Sequence, residues 1–263
     1  MTLVELLGCL LVTFGPPGCM FVVTVARKPL HVILLMASAF FWLLSLMVSS
    51  IFYKIPISDQ RSKFIMGVVL SVLFQEFFRY LYYYVVSKAR VGLEAVHNQG
   101  KDKKKPLNML AVYYSAGLGY GLVSGAFATV NVFRDLAGPG TVGILGDSQF
   151  FFIISSFTAL AFILLHVSWG VVFMGSLDSE LVWRKVSGVV GVVCTHLLVS
   201  GLSVLNYRHS GSAPVYGATI TVAYIMLIVM TLWAYNIAGG SGRTLKHLVH
   251  PPSNNRRNNN ASN

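Results

Sequence analysis

The chain predicts an all-α polytopic membrane protein with seven transmembrane helices, and three observations carry that prediction. Hydrophobic residues fill 55% of the 263 positions and charged residues only 11%, whereas about a quarter of a soluble domain is charged. About 20 apolar residues cross the hydrocarbon core of a bilayer, and seven such stretches occur. They run approximately from Leu3 to Ala26, Leu30 to Phe52, Phe64 to Val86, Leu110 to Phe133, Phe150 to Gly175, Val186 to Leu205 and Pro214 to Ile237. Lysine and arginine are also divided unequally between alternate connections. Fourteen lie in loops one, three and five and the tail, five lie on the other side, and Arg79 sits within a helix. By the positive-inside rule, the N-terminus is expected on the lumenal or extracellular face and the C-terminus in the cytosol. The seven-helix domain is read as residues 1–240, followed by a polar cytosolic tail, residues 241–263, whose asparagine-rich end suggests disorder.

The formal net charge of +11 is mostly this topological asymmetry. The cluster Lys101, Lys103, Lys104 and Lys105 is short and lacks interleaved aromatics, which argues against nucleic acid as a partner. Attraction to anionic lipid explains it more simply. Cys9, Cys19 and Cys194 all lie in apolar runs without paired spacing, so neither a disulfide nor a metal site is expected.

Helix one has Glu5 near its start and no basic residue ahead of its apolar core, so it is read as a membrane helix rather than a signal peptide. Its Phe14-Gly15-Pro16-Pro17-Gly18 segment removes two backbone donors, and a kink or break is expected there. Helix two mixes small and aromatic residues from Ala37 to Trp42, a pattern of core packing. Helix three carries Glu76 near its midpoint and Arg79 one turn later. The two share one side, and charges at that depth face a bundle interior or a wet cavity. They read as a structural ion pair, with a partner contact or a water path as the alternative. Tyr80, Tyr82, Tyr83 and Tyr84 are expected to form an aromatic girdle at the cytosolic boundary, before a long basic loop from Ser87 to Pro106.

Helix four contains Gly117-Leu-Gly-Tyr-Gly121-Leu-Val-Ser-Gly125. Glycines at i, i+4 and i+8 fall on one side, and in lipid a glycine stripe gives packing energy through close backbone approach. The other helices are expected to be arranged around this one, with the stripe serving assembly or packing inside its own bundle. After it, five glycine and proline residues in nine positions, 138–146, predict an ordered lumenal loop. That spacing matches no phosphate-binding fingerprint.

Helices five and six each carry one histidine, His166 and His196. Counted from the cytosolic side at ~1.5 Å per residue, they lie about 14 and 15 Å deep. At that common level the imidazoles can hydrogen-bond to each other or line one polar pocket. No third ligand for zinc is evident at that depth, and no cofactor is expected.

Several segments together resemble the anterior-pharynx-defective family, the seven-helix scaffold subunit of γ-secretase. They are Gly117 to Gly125, Ala137 to Ser148, Leu164 to Phe173 around His166, His196 to Leu202, and Leu232 to Ser241, with Phe14-Gly15-Pro16 and Phe74 to Arg79 similar as well. Their order and spacing jointly carry the resemblance. It implies a non-catalytic subunit that stabilises an intramembrane aspartyl protease complex with presenilin, nicastrin and the presenilin enhancer subunit. That complex cleaves type I membrane proteins in the endoplasmic reticulum, Golgi and plasma membrane. Carried over by motif, Gly117, Gly121 and Gly125 would support assembly, and His166 and His196 would support assembly and activity without being catalytic.

Other classes fit less well. No helix interior holds an aspartate, so the chain is not expected to be an aspartyl protease itself. Ser124 with His166 or His196 could pose as the nucleophile and base of a serine intramembrane protease. A seven-helix receptor is disfavoured because Phe78-Arg79-Tyr80 lacks the acidic residue of the Asp-Arg-Tyr triplet. A transporter would usually show an internal repeat.

Overall fold

The computed structural model describes residues 3–53, 59–100, 106–138, 150–208 and 213–240. Among them are seven helices long and apolar enough to cross a membrane. We label them α1 (Leu3–Met20, continuing as a π-helical turn over Phe21–Val25), α2 (Pro29–Phe52), α3 (Gln60–His97), α4 (Met109–Ala137), α5 (Phe151–Leu177), α6 (Val182–Arg208) and α7 (Ala213–Ile237). Local chemistry marks several starts. Pro29 opens α2 at a position where a missing N–H costs nothing. The Asn108 side chain accepts from the Ala111 N–H at 3.3 Å to cap α4. The lumenal loop expected around Gly138 lies outside the described residues over 139–149, as do the basic cluster 101–105 and the tail 241–263.

Four expectations are corrected, the last of them the choice of central helix. Of the kink or break expected at Pro16 and Pro17, the break is absent: the chain stays helical through both. The irregularity appears one turn later as the wide turn Phe21–Val25, where Ala26 N–H reaches back to the Phe21 carbonyl at 2.9 Å. A π-turn of this kind is one way a helix absorbs a local misfit without unwinding. Second, α3 does not stop near Val86 but continues to His97. Much of the expected third loop is therefore helical, and Arg90 Nε lies 3.5 Å from Glu94 Oε1 one turn on. Third, Tyr82 leaves the girdle: it is buried and donates from its hydroxyl to the Leu34 carbonyl at 3.0 Å, whereas Tyr80 and Tyr84 stay exposed.

The centre of the bundle is α5 rather than α4. Every residue from Leu165 to Met174 is buried, and α5 packs against α1, α4, α6 and α7. A helix apolar on all sides belongs in the middle of a bundle. Around one flank, α2 touches α3, α3 touches α6, α6 touches α5, α5 touches α4, and α4 touches α2. These five helices close a ring.

Two contacts of α4 set its width. A Cβ at Gly117 would lie 2.8 Å from the His166 carbonyl and the Val167 backbone, and one at Gly121 would lie 2.5 Å from the Ile163 carbonyl. On the opposite side, a Cβ at Gly119 would collide with Ser38 Oγ and the Leu35 carbonyl of α2. The α4 backbone is thus in direct contact with both neighbours. Ser38 Oγ donates to the Leu35 carbonyl at 2.7 Å and lies 3.0 Å from the Ala116 carbonyl.

Candidate functional site

The five-helix ring encloses a vestibule of about 930 Å³. Its walls come from the C-terminal halves of α2 and α4 and the N-terminal halves of α3 and α5, with Ser200 of α6 and Tyr216 of α7. It therefore occupies one half of the bundle, the half in which α1 begins. Hydroxyls and an amide punctuate its apolar walls, among them Ser71, Gln75, Ser124, Ser155, Thr158 and Ser200. Its floor is formed by His166 and His196.

Directly behind the histidines lies the ion pair of α3. Arg79 Nη1 is 3.3 Å from Glu76 Oε2, with the arginine side chain fully buried and the glutamate nearly so. Each of these residues also reaches another helix: Arg79 Nη2 lies 2.9 Å from His166 Nδ1 on α5, and Glu76 Oε1 lies 2.7 Å from His196 Nδ1 on α6. A glutamate and an arginine one turn apart thus tie α3 to two helices at one level. This joint is the main polar link between α3 and α5, which otherwise barely meet.

The imidazoles are level, as the residue count predicts. Their ring centroids are 5.2 Å apart and their planes perpendicular. Each hydrogen-bonds to α3, and both line the one polar pocket. The expected pairing of Glu76 with Arg79 is present, and the link from each to a histidine is an addition that spacing within one helix could not reveal. Two aromatic side chains complete the shell. The Trp169 indole stacks on His196 with centroids 4.3 Å apart and donates from Nε1 to Thr195 Oγ1 at 3.0 Å. The Arg79 guanidinium lies over the Tyr120 ring, 5.0 Å from its centroid, a cation–π contact in a desolvated setting.

Ser124 shares the vestibule with both histidines, but its hydroxyl donates to the Gly121 carbonyl at 2.9 Å. Gly117, Gly121 and Gly125 are all engaged by α5, Gly125 against the Ile163 side chain. The stripe thus holds His166 in place, since the Gly117 contact is with the His166 carbonyl itself. Among the described residues, no three His, Cys, Asp or Glu side chains are grouped to hold a metal ion.

A third buried histidine is absent from the sequence reading. His31 Nδ1 lies 3.0 Å from Ser115 Oγ, which itself donates to the Ala111 carbonyl at 2.8 Å, so the imidazole is the donor to Ser115. It stands two residues into α2 beside Pro29, a place that reads as membrane interface. Only the α2–α4 contact shows that it is interior.

Fold and cluster together define a class: a seven-helix membrane protein whose helix ring is closed at one level by paired intramembrane charges and imidazoles. Residues 4–241 match the family described as Aph-1 protein. The chain is 45% identical to the γ-secretase subunit Aph-1b of Danio rerio over 254 residues, covering 94% of this chain and 93% of that one. It is 39% identical to the γ-secretase subunit Aph-1 of Drosophila melanogaster, covering 95% and 99%, and 40% identical to the γ-secretase subunit APH-1B of Homo sapiens, covering 94% and 93%. The chain belongs to the Aph-1 family.

Proposed function

We propose that this protein is a non-catalytic scaffold subunit of a γ-secretase complex, stabilising an intramembrane aspartyl protease rather than performing its chemistry. The relatives named above are called γ-secretase subunits, and they support the reading. The observation that carries it is the use made of the buried polar groups. Glu76, Arg79, His166 and His196 bond one another across three helices, and Ser124 donates to its own helix, so the polar side chains join helices instead of pairing a nucleophile with a base. The partners on this reading are presenilin, nicastrin and the presenilin enhancer subunit. The N-terminus is lumenal, the C-terminus is cytosolic, and the complex resides in the endoplasmic reticulum, Golgi and plasma membrane.

The glycines would act on assembly through shape. Because Gly117, Gly121 and Gly125 are occupied by α5, a partner would meet the outer faces whose positions this packing fixes. Ile33, Met36, Phe40 and Met47 on α2, with Phe77 on α3, form exposed apolar surface suited to lipid or to another helix.

The test is affinity purification of the tagged full chain from cells in a mild detergent, comparing wild type with Gly121→Leu. Recovery of presenilin and nicastrin with wild type, and their loss with a variant that still inserts, is the expected result. Purification of the chain alone in both cases would overturn the proposal.

A further inference from the structure

The partners of the two histidines determine which nitrogen of each ring carries the proton. A guanidinium has only donors, so Arg79 Nη2 donates to His166 Nδ1 at 2.9 Å, and the proton of that neutral imidazole sits on Nε2. The Glu76 carboxylate, held against Arg79 at 3.3 Å, only accepts, so His196 Nδ1 donates to Oε1 at 2.7 Å, and in the neutral ring Nε2 keeps its lone pair. Two like side chains at one level therefore hold opposite tautomers. Both rings line the vestibule floor, and with both Nδ1 atoms engaged by α3, the floor offers one N–H and one lone pair from rings 5.2 Å apart. A water needs two or more polar partners and room to sit, and the two rings meet at a vestibule that both of them line.

We propose that the vestibule ends in a proton-accepting site: a water held between His166 Nε2–H and His196 Nε2, with His196 as the group that takes up a proton delivered from the vestibule. The step balances simply, because a hydronium in the vestibule gives its proton to the Nε2 lone pair and leaves water behind. The resulting His196 imidazolium still donates from Nδ1 to Glu76 and lies against the face of Trp169, an arrangement that accommodates a cation. His166 is different: its Nδ1 lone pair already accepts from Arg79, and a proton there would abolish the acceptor and set two cations against each other. His196 is the acceptor and His166 the fixed donor.

Among the described residues, the other charged or titratable groups around the pair are Glu76 and Arg79 of α3 and Tyr120 of α4, whose ring lies under the guanidinium. Tyr53, just after α2, and Tyr216 of α7 line the same vestibule. Because the walls belong to the half of the bundle in which α1 begins, protons reach the pair from one face of the membrane only.

The test uses the full chain in lipid nanodiscs with ring-¹⁵N histidine, read by nuclear magnetic resonance. Thr195-His196 is the only Thr–His pair in the sequence, so ¹³C-carbonyl threonine marks His196. Leu–His pairs occur at His31 and His166, and a His31→Asn sample tells them apart. The expected spectrum places the proton of His166 on Nε2 and that of His196 on Nδ1, and acidification shifts the His196 Nε2 signal to its protonated position before any change at His166 Nδ1. Identical tautomers, earlier protonation of His166, or no change at either ring while circular dichroism stays helical would each overturn the proposal. A second measurement concerns access. In a chain with Cys9, Cys19 and Cys194 replaced by Ala, Ser124→Cys in liposomes should be modified by a membrane-impermeant thiol reagent from one face. Failure from both faces, or reaction from both, would overturn it as well.

Discussion

Gly117 on α4 and Gly170 on α5 meet backbone to backbone: a Cβ on Gly170 would lie 2.7 Å from the Gly117 Cα. A methyl group therefore has nowhere to go on either side. Inserting methylenes into tight packing costs about 1–3 kcal/mol, and here the obstacle is main chain that no rotamer change can clear. Gly117→Ala and Gly170→Ala are expected to lower thermal stability of the purified chain by that amount. Gly8→Ala and Gly217→Ala, whose surroundings are open within 4 Å, should be neutral or slightly stabilising, because alanine favours helix by about 1 kcal/mol over glycine. Equal effects at all four positions in a thermal unfolding assay would contradict the close crossing.

Removing one member of the buried ion pair should be worse than removing both. Arg79→Met leaves Glu76 charged and buried, with His196 as its partner among the described residues, and breaking a buried pair from one side typically costs about 3–5 kcal/mol. The double variant Glu76→Gln with Arg79→Met removes the stranded charge, so its loss of stability should be smaller than that of Arg79→Met alone. A double variant at least as unstable as the single one would indicate that the charges do not interact.

Trp169→Phe keeps a ring against His196 but deletes the indole N–H that donates to Thr195 Oγ1. A net cost of about 1 kcal/mol is expected for one such bond. Thr195→Val should cost a similar amount, and the two changes together should cost no more than either alone. Full additivity in a double-mutant cycle would show that the bond is not formed.

Ser124→Ala removes a hydroxyl that only returns to its own helix. Complex recovery and proteolytic output of cells carrying this variant are expected to equal wild type, whereas a nucleophilic serine would abolish output.

Much of this architecture is legible in the sequence because membrane spans declare themselves by length and polarity. The level of His166 and His196 follows from counting residues on two helices joined by a short turn, and Glu76 facing Arg79 follows from helical spacing. What spacing cannot supply is the partner across a gap, so the Arg79–His166 and Glu76–His196 bonds emerge only in three dimensions. The position of α5 is hidden for the same reason: apolar residues face lipid and protein alike, and only packing separates them. Residues 87–97 of α3 escape because hydropathy falls at the membrane surface while helix-favouring residues such as Lys88, Ala89, Arg90 and Glu94 carry the helix onward. The Pro16-Pro17 pair suggests a break that does not occur, since the helix continues through it to the wide turn at Phe21–Val25.

Glycine on both sides of α4, with Gly119 against α2 and Gly117 against α5, gives the bundle a mechanical property. Most helix contacts are cushioned by side chains that can change rotamer and take up a displacement. Here main chain bears on main chain twice in three residues, joined on the α2 side only by the small Ser38 side chain. A displacement of the Leu35 carbonyl of α2 would bear directly on Gly119 of α4, two residues from the Gly117 contact with the His166 carbonyl. The Gly117–Gly119 stretch of α4 thus behaves as a rigid strut in the wall of the ring, joining the inner face of α2 to the His166 backbone.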